Sequence, residues 1–166
     1  MRLVLATAFA LATTLAAPTP AAAQELGIAV GAAAPAAAMQ TLDGKPANLS
    51  QYIGKGPVVL EFWATWCPNC KELEPAMEAA HKAYGSRVKF VGVAVSVNQS
   101  AERVRRHLAR NRMPMEMLYD HEGNATGAYD APATSYVVIL DGAGKVVYTG
   151  LGGKQDIVGA LRKAGL

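Results

Sequence analysis

Cys67 and Cys70 are the only two cysteines of this 166-residue chain, and they lie in the stretch Trp66-Cys67-Pro68-Asn69-Cys70. Two intervening residues bring the two sulfurs close enough for a reversible disulfide. We expect Cys67 at the start of a helix, where free backbone N–H groups and the positive end of the helix dipole stabilise a thiolate. Cys70 should be the more buried and less acidic thiol. The pattern therefore predicts that Cys67 exchanges with a partner and that Cys70 resolves the mixed disulfide.

Other chemistry for this pair fits the sequence less well. A structural disulfide across two residues would restrict little chain entropy. Haem attachment requires a histidine directly after the second cysteine, where the chain has Lys71. A zinc site needs four ligands, and His81, His107 and His121 have no recognisable spacing from the pair. We predict redox exchange through the pair itself, with no metal and no further cofactor; a Cu(I) site on the same two thiols is the alternative.

Glu61 is the only charged residue in the apolar run Val58–Trp63, six positions before Cys67. An ionised carboxylate is costly in a protein core, so burial should raise the pKa of Glu61 towards neutrality. A carboxyl group with such a pKa suits general acid–base catalysis, and we predict that role for Glu61. An edge position or a salt bridge is the alternative.

The elements that must position these residues follow from composition and hydrophobic pattern. With 51% apolar and 17% charged residues the chain is predicted to form one globular domain, and a net charge of +3 does not favour nucleic-acid binding. Strands rich in β-branched residues alternate with helices of 3–4-residue apolar spacing, which predicts an α/β fold with a mixed central sheet flanked by helices. The predicted strands are 58–63, 88–97, 115–119, 135–140 and 145–149, the helices are 68–84, 100–110 and 156–163, and a small hairpin turns at Asp43-Gly44.

The N-terminal residues have the pattern of a targeting segment. A short basic start, an apolar stretch and small residues at Ala21 and Ala23 predict a signal peptide over residues 1–23 and export to a periplasm. An uncleaved anchor is disfavoured because prolines interrupt the apolar stretch. Residues 24–38 are alanine-rich and are predicted to be a flexible lead-in to a domain over 39–166.

From Gly31 to its C terminus the chain resembles the TlpA/ResA-type branch of the thioredoxin-like superfamily, a redoxin or AhpC/TSA-like branch. The resemblance rests on Val59 to Cys70, where Phe-Trp-Ala-Thr-Trp-Cys-Pro-x-Cys is specific, and on Pro75, which matches a helix-kinking proline. It implies a thioredoxin-like fold with a short N-terminal extension. It also implies an extracytoplasmic, monomeric thiol–disulfide oxidoreductase that acts on protein thiols and disulfides, often as a reductant in cytochrome c maturation or copper-site assembly.

The same resemblance implies roles for single residues. Glu61 stands where thioredoxin has a buried aspartate that takes the proton of the resolving cysteine, here Cys70. Electrons would be resupplied by a membrane thiol-reductant transporter. The residues expected to contact the substrate are Trp66, Pro68, Pro132 and Thr134.

One position departs from the superfamily pattern. The superfamily places a cis-proline opposite the cysteine pair, just before a central strand. Counting without gaps from Tyr129 and Asp141 places Ser135 there. Because a cis bond is very costly before residues other than proline, we predict that a cis-proline, if the chain has one, is Pro132, with an ordinary trans loop proline at this position as the alternative.

Two other classes of protein share the fold but not this pattern. Thioredoxin-like copper chaperones space their cysteines by three residues and add a distant histidine. Thiol peroxidases rely on a threonine three positions before the cysteine, where this chain has Ala64. A basic helix face formed by Arg103, Arg106 and Arg110 is predicted to be solvated, with the docking of an acidic partner as the alternative.

Overall fold

The computed structural model describes residues 26–166, so the predicted signal peptide lies outside the described residues. Its strands are β1 (Ala38–Thr41), β2 (Pro46–Asn48), β3 (Val58–Trp63), β4 (Lys89–Val95), β5 (Glu116–Asp120), β6 (Tyr136–Leu140) and β7 (Val146–Leu151). Its α-helices are α1 (Pro68–Tyr84), α2 (Ala101–Leu108), α3 (Asn124–Ala128) and α4 (Ile157–Lys163). Within the described part of the chain, no helix has the length and apolar character needed to cross a membrane.

The strands form one mixed sheet in the order β2-β1-β5-β4-β3-β6-β7. β3, β4 and β5 are parallel neighbours, and their connections contain α1 and α2. The remaining pairs are antiparallel, including the predicted hairpin of β1 and β2 around Asp43-Gly44. The predicted α/β fold class is confirmed. Since the carboxyl ends of parallel strands lie at one edge, the loops that follow β3 and β4 are neighbours there.

Helices cover both faces of the sheet, which is why β3 is buried along its whole length. Leu60 and Phe62 belong to the core on the side of α2 and α3, where Val104 is fully buried. Val59 belongs to the core on the side of α1 and α4, together with Leu73. Side chains alternate along a strand, so Glu61 lies on the same side as Val59, beneath α1.

Helix α3 is absent from the sequence-based prediction because it has only five residues, and three of them, Asn124, Thr126 and Gly127, are poor helix formers. A buried carboxylate from the preceding strand holds its first turn. Asp120 accepts hydrogen bonds from the backbone N–H groups of Ala125 and Thr126, at 3.0 and 2.8 Å, and from the Thr126 hydroxyl at 2.7 Å. A tertiary contact therefore supplies the stability that local propensity does not.

The described part of the predicted lead-in is attached to the domain. The backbone N–H of Ile28 donates to the Tyr129 carbonyl at 3.0 Å, and that of Gly31 donates to the Val146 carbonyl at 2.8 Å. Ala37 is buried in the core, and β1 begins at Ala38. Composition predicts a flexible segment here because alanine-rich stretches have no strong periodicity, but small side chains also let a backbone lie close against the sheet.

Candidate active site

Cys67 and Cys70 form a disulfide at the start of α1, with their Cα atoms 5.3 Å apart. Cys67 is the residue that caps the helix, and its Sγ accepts a hydrogen bond from the backbone N–H of Cys70 at 3.0 Å. Pro68 occupies the first helical position, where its missing N–H costs nothing. The exposed fractions of the two cysteines are 6% and 4%, so burial hardly distinguishes them. Their difference lies in the helix position, because only Cys67 stands at the end where backbone N–H groups are free.

A pocket of about 240 Å³ opens over the disulfide. Trp66 and Pro68, two of the residues predicted to contact substrate, line it together with His107 and Met113. Trp66 is 40% exposed, and its indole N–H donates to the Val97 carbonyl at 2.9 Å. The pocket thus combines an aromatic wall fixed in orientation with access to the sulfur atoms.

The loop before Cys67 is held by the loop after β4. The backbone N–H of Thr65 donates to Gln99 Oε1 at 2.9 Å, and Gln99 Nε2 donates to the Val95 carbonyl at 2.6 Å. Arg103 Nε donates to Thr65 Oγ1 at 3.1 Å. Residue spacing alone does not assign Gln99, Arg103 or His107 to the site of the cysteine pair. The order of the strands could have indicated these residues, because the connections after β3 and β4 follow adjacent parallel strands and so meet at one edge of the sheet.

Glu61 is buried beneath α1, with only 1% of its surface exposed. It lies in a central strand, opposite Gly92 of β4 and Val137 of β6, so it is not at an edge. Neither carboxylate oxygen has a hydrogen-bond partner among the described residues, and none of their salt bridges involves Glu61. Burial, and to a lesser degree the nearby Glu74 carboxylate, raise the pKa of Glu61 to about 8.

Thioether groups cover the sheet surface beside Glu61. Gly92 lies next to Glu61 on β4, and a Cβ atom placed there would be 2.6 Å from the sulfur of Met117 and 2.9 Å from that of Met115. The Trp63 indole N–H donates to the Met117 sulfur at 2.7 Å. These weakly polar groups provide little solvation to a carboxylate, which is consistent with the raised pKa.

The titration of Glu61 should make stability depend on pH. Between the ordinary pKa of 4.5 and the folded value of about 8, the folded state holds one proton more than the unfolded state. The free energy of unfolding should therefore fall as pH rises through this window, by at most about 1.4 kcal/mol per pH unit. We expect the oxidised Glu61→Gln variant to lack this slope in urea titrations from about pH 5 to about pH 8. Equal slopes in variant and wild type would contradict an unpartnered Glu61.

The structure does not support a cis-proline at Pro132. All peptide bonds in residues 26–166 are trans, so the prediction for Pro132 is wrong. Ser135 instead stands directly before β6, fully buried, with φ of 63° and its N–H donating to the Phe62 carbonyl at 2.7 Å. This is the position given by the count without gaps. Pro132 is exposed and Thr134 half-buried, and neither lines the pocket of the cysteine pair, so their contact with substrate stays a prediction.

Two of the three histidines considered as metal ligands, His81 and His107, pack against aromatic rings, and the third, His121, lies 3.4 Å from the Glu122 carboxylate. The His107 ring lies 5.8 Å from the Trp63 ring, and the His81 ring lies 5.2 Å from that of Phe90. Across residues 26–166, no group of three or more His, Cys, Asp and Glu side chains is arranged to hold a metal ion.

Comparisons with known proteins agree with this architecture. The AhpC/TSA family model matches residues 30–149. The thioredoxin-like protein YneN of Bacillus subtilis is 32% identical over 136 residues, covering 81% of this chain and 79% of the relative. The thiol-disulfide oxidoreductase ResA of Geobacillus thermodenitrificans is 29% identical over 136 residues, covering 81% and 77%.

A solved structure supports the same fold. The secreted Mycobacterium tuberculosis disulfide oxidoreductase homologous to Escherichia coli DsbE superimposes with a TM-score of 0.64 at 24% identity, covering 78% of this chain and 95% of that one. The predicted resemblance and the thioredoxin-like fold are therefore confirmed. The chain belongs to the AhpC/TSA family, among its thioredoxin-like thiol–disulfide oxidoreductases.

Proposed function

We propose that the protein reduces disulfides of partner proteins in an extracytoplasmic space. The Cys67 thiolate attacks a partner disulfide and releases one partner thiolate. Cys70 then attacks the mixed disulfide, releases the second partner thiolate and leaves the Cys67–Cys70 disulfide. Each turnover transfers two electrons to the partner. The observation that carries the proposal is the disulfide at the start of α1, together with a buried carboxyl group on β3 that has no hydrogen-bond partner among the described residues.

Glu61 is the proposed proton acceptor for Cys70. Glu61 and Cys70 lie on facing elements, β3 and α1, and both are almost wholly buried. A buried thiol needs a base to become a nucleophile, and a carboxyl group with a pKa of about 8 holds or releases a proton near physiological pH. The raised pKa thus matches the requirement of the resolving step.

The surroundings of the sulfur atoms favour the reducing direction. A dithiol is oxidising when its thiolate is strongly stabilised, as in DsbA. Here the hydrogen bond from Cys70 N–H is the only one that the described residues donate to either sulfur. Lys71 is paired with Glu74, and the Pro68-Asn69 dipeptide between the cysteines is uncharged. The carboxyl groups of Glu61 and Glu74 disfavour an additional negative charge on the sulfur atoms. The thiolate of the reduced form is therefore destabilised relative to the disulfide.

The reduction potential of the Cys67–Cys70 pair tests the direction. We expect a value nearer to the about −270 mV of thioredoxin than to the about −120 mV of DsbA. The measurement is equilibration in dithiothreitol or glutathione buffers, followed by alkylation of free thiols and mass spectrometry. A potential near the oxidising end of this scale would mean that the protein donates its disulfide to partners.

The location and partners are part of the same proposal. The pattern of residues 1–23 supports export, and one structural relative is described as secreted. An oxidising compartment would require that electrons arrive through a membrane thiol-reductant transporter, with cytochrome c maturation or copper-site assembly as the destination. N-terminal sequencing of the exported protein should find Gln24 first. A soluble protein that retains Met1 would contradict cleavage.

A further inference from the structure

A second cavity lies beside the pocket of the cysteine pair. It has a volume of about 270 Å³ and is lined by Thr65, Arg103, Arg106, His107, Arg110 and Asn111. We refer to it as the basic groove. Thr65 and His107 line both the basic groove and the pocket over the disulfide, so the two cavities share a wall.

Helix α2 directs its arginines into the basic groove by its periodicity. Arg103 and Arg106 are one turn apart on α2, and Arg110 follows in the turn just after the helix ends at Leu108. Val104 is fully buried and anchors α2 to the sheet. Arg105 points elsewhere, because it donates a hydrogen bond to the Leu42 carbonyl. Arg103, Arg106 and Arg110 therefore face the basic groove, which lies between them and Thr65 of the active-site loop.

Hydrogen bonds fix the basic groove relative to the reactive sulfur. Arg103 donates to the side chain of Thr65, and Gln99 accepts from the backbone of the same residue. Thr65 stands only two positions before Cys67. A group bound in the groove would therefore be held at a defined place beside the attacking thiolate.

The charge of the basic groove is largely uncompensated. Arg106 pairs with Glu102 at 2.8 Å, and both side chains are about two-thirds exposed. Of the carboxylates in residues 26–166, none lies within 4.0 Å of the guanidinium groups of Arg103 and Arg110. Arginine presents a planar set of N–H donors that matches a carboxylate. The groove thus has both the charge and the donor geometry for an acidic side chain.

Resting on the proposed function, we propose that the basic groove binds an Asp or Glu side chain of the substrate protein, within a few residues of the cysteine that Cys67 attacks. Such a contact would make the protein react faster with partner disulfides that have a nearby Asp or Glu than with partner disulfides that lack one. The substrate class is accordingly a protein disulfide flanked by acidic residues.

Synthetic peptides with one internal disulfide test this inference. Three peptides differ only in residues flanking one cysteine, which are Glu, Gln or Lys, and the reduced protein is mixed with each at about 20 mM salt. The peptide thiol formed is measured by acid quenching and chromatography. We expect the Glu peptide to react about tenfold faster than the Gln peptide, with the difference lost at about 0.5 M salt.

Variants locate the effect. The double variant Arg106→Gln, Arg110→Gln should reduce the Glu-to-Gln ratio to below about twofold. Arg162→Gln, on α4 at the opposite face of the sheet, removes a similar exposed charge and should retain the preference. The charge-reversal variant Arg106→Glu, Arg110→Glu should favour the Lys peptide.

Two outcomes would overturn the inference. One is equal rates for the Glu and Gln peptides in the wild type. The other is an acidic preference that survives in the double variant, which would assign it to another cation such as Lys71, a residue of the cysteine pocket. The proposed function fails separately, because a protein that is not a disulfide reductant would leave the Gln peptide oxidised as well.

Discussion

Replacing Cys67 with serine is expected to reduce the rate of peptide disulfide reduction by at least about 10³-fold. A serine hydroxyl is not ionised near neutral pH and cannot use the helix N-terminus as a thiolate does. Because Cys67 caps α1 through a side-chain acceptor, and serine is itself a good cap, the variant should fold normally. Chromatographic measurement of peptide thiol, with far-ultraviolet circular dichroism as the folding control, provides the test.

Replacing Cys70 with serine should give a different product. Cys67 still attacks, but no thiol is in place to resolve the mixed disulfide. We expect a covalent protein–peptide adduct at one equivalent, visible by mass spectrometry and released by dithiothreitol. If Cys67→Ser rather than Cys70→Ser accumulated the adduct, the assigned roles of the two cysteines would be reversed.

The Glu61→Gln variant should slow the resolving step by about 10²-fold and leave the initial attack within about twofold of the wild type. Glutamine matches glutamate in shape, but its amide does not accept a proton as a carboxylate does. In the wild type the resolving rate should rise with pH through about 8, because the ionised carboxylate is the base. The variant should lack this inflection. Rapid mixing followed by acid trapping of the mixed disulfide separates the two steps.

A second carboxylate variant provides the matched control. Glu72 is an exposed residue of α1 and lies 3.9 Å from Lys154, away from the buried site. Glu72→Gln makes the same chemical substitution at an exposed position of α1 and should leave both steps and the pH inflection unchanged. Resolving rates that are identical in the wild type and Glu61→Gln would remove Glu61 from the mechanism.

Much of the fold could be predicted from local sequence. Val58–Trp63 is a continuous apolar run because β3 is central and covered on both faces, and such runs are read as buried strands. Helix α1 begins at Pro68 and ends at Tyr84 as predicted, because proline marks its first turn and apolar residues follow its periodicity. The burial of Glu61 and its raised pKa could also be predicted, because Glu61 is the single charged residue in that apolar strand.

Features that depend on distant contacts could not be predicted in this way. Helix α3 exists because Asp120 holds its first turn, and no local pattern indicates that contact. The cis-proline expectation for Pro132 rested on a family pattern, whereas this chain places Ser135 at that position. Gln99, in the loop after β4, and His107, on the helix α2 that follows it, join the site because the connections after β3 and β4 meet at one edge of the sheet, which residue spacing does not reveal.

The short separation between the two cysteines also affects how the chain matures. A disulfide between residues three positions apart closes a very small loop and so removes little entropy from the unfolded chain. In an oxidising space, a newly arrived chain can form only this one intramolecular bridge, since the sequence contains no third thiol. Misoxidised isomers are therefore impossible within one molecule. The chain therefore needs no disulfide isomerase to reach its one intramolecular bridge.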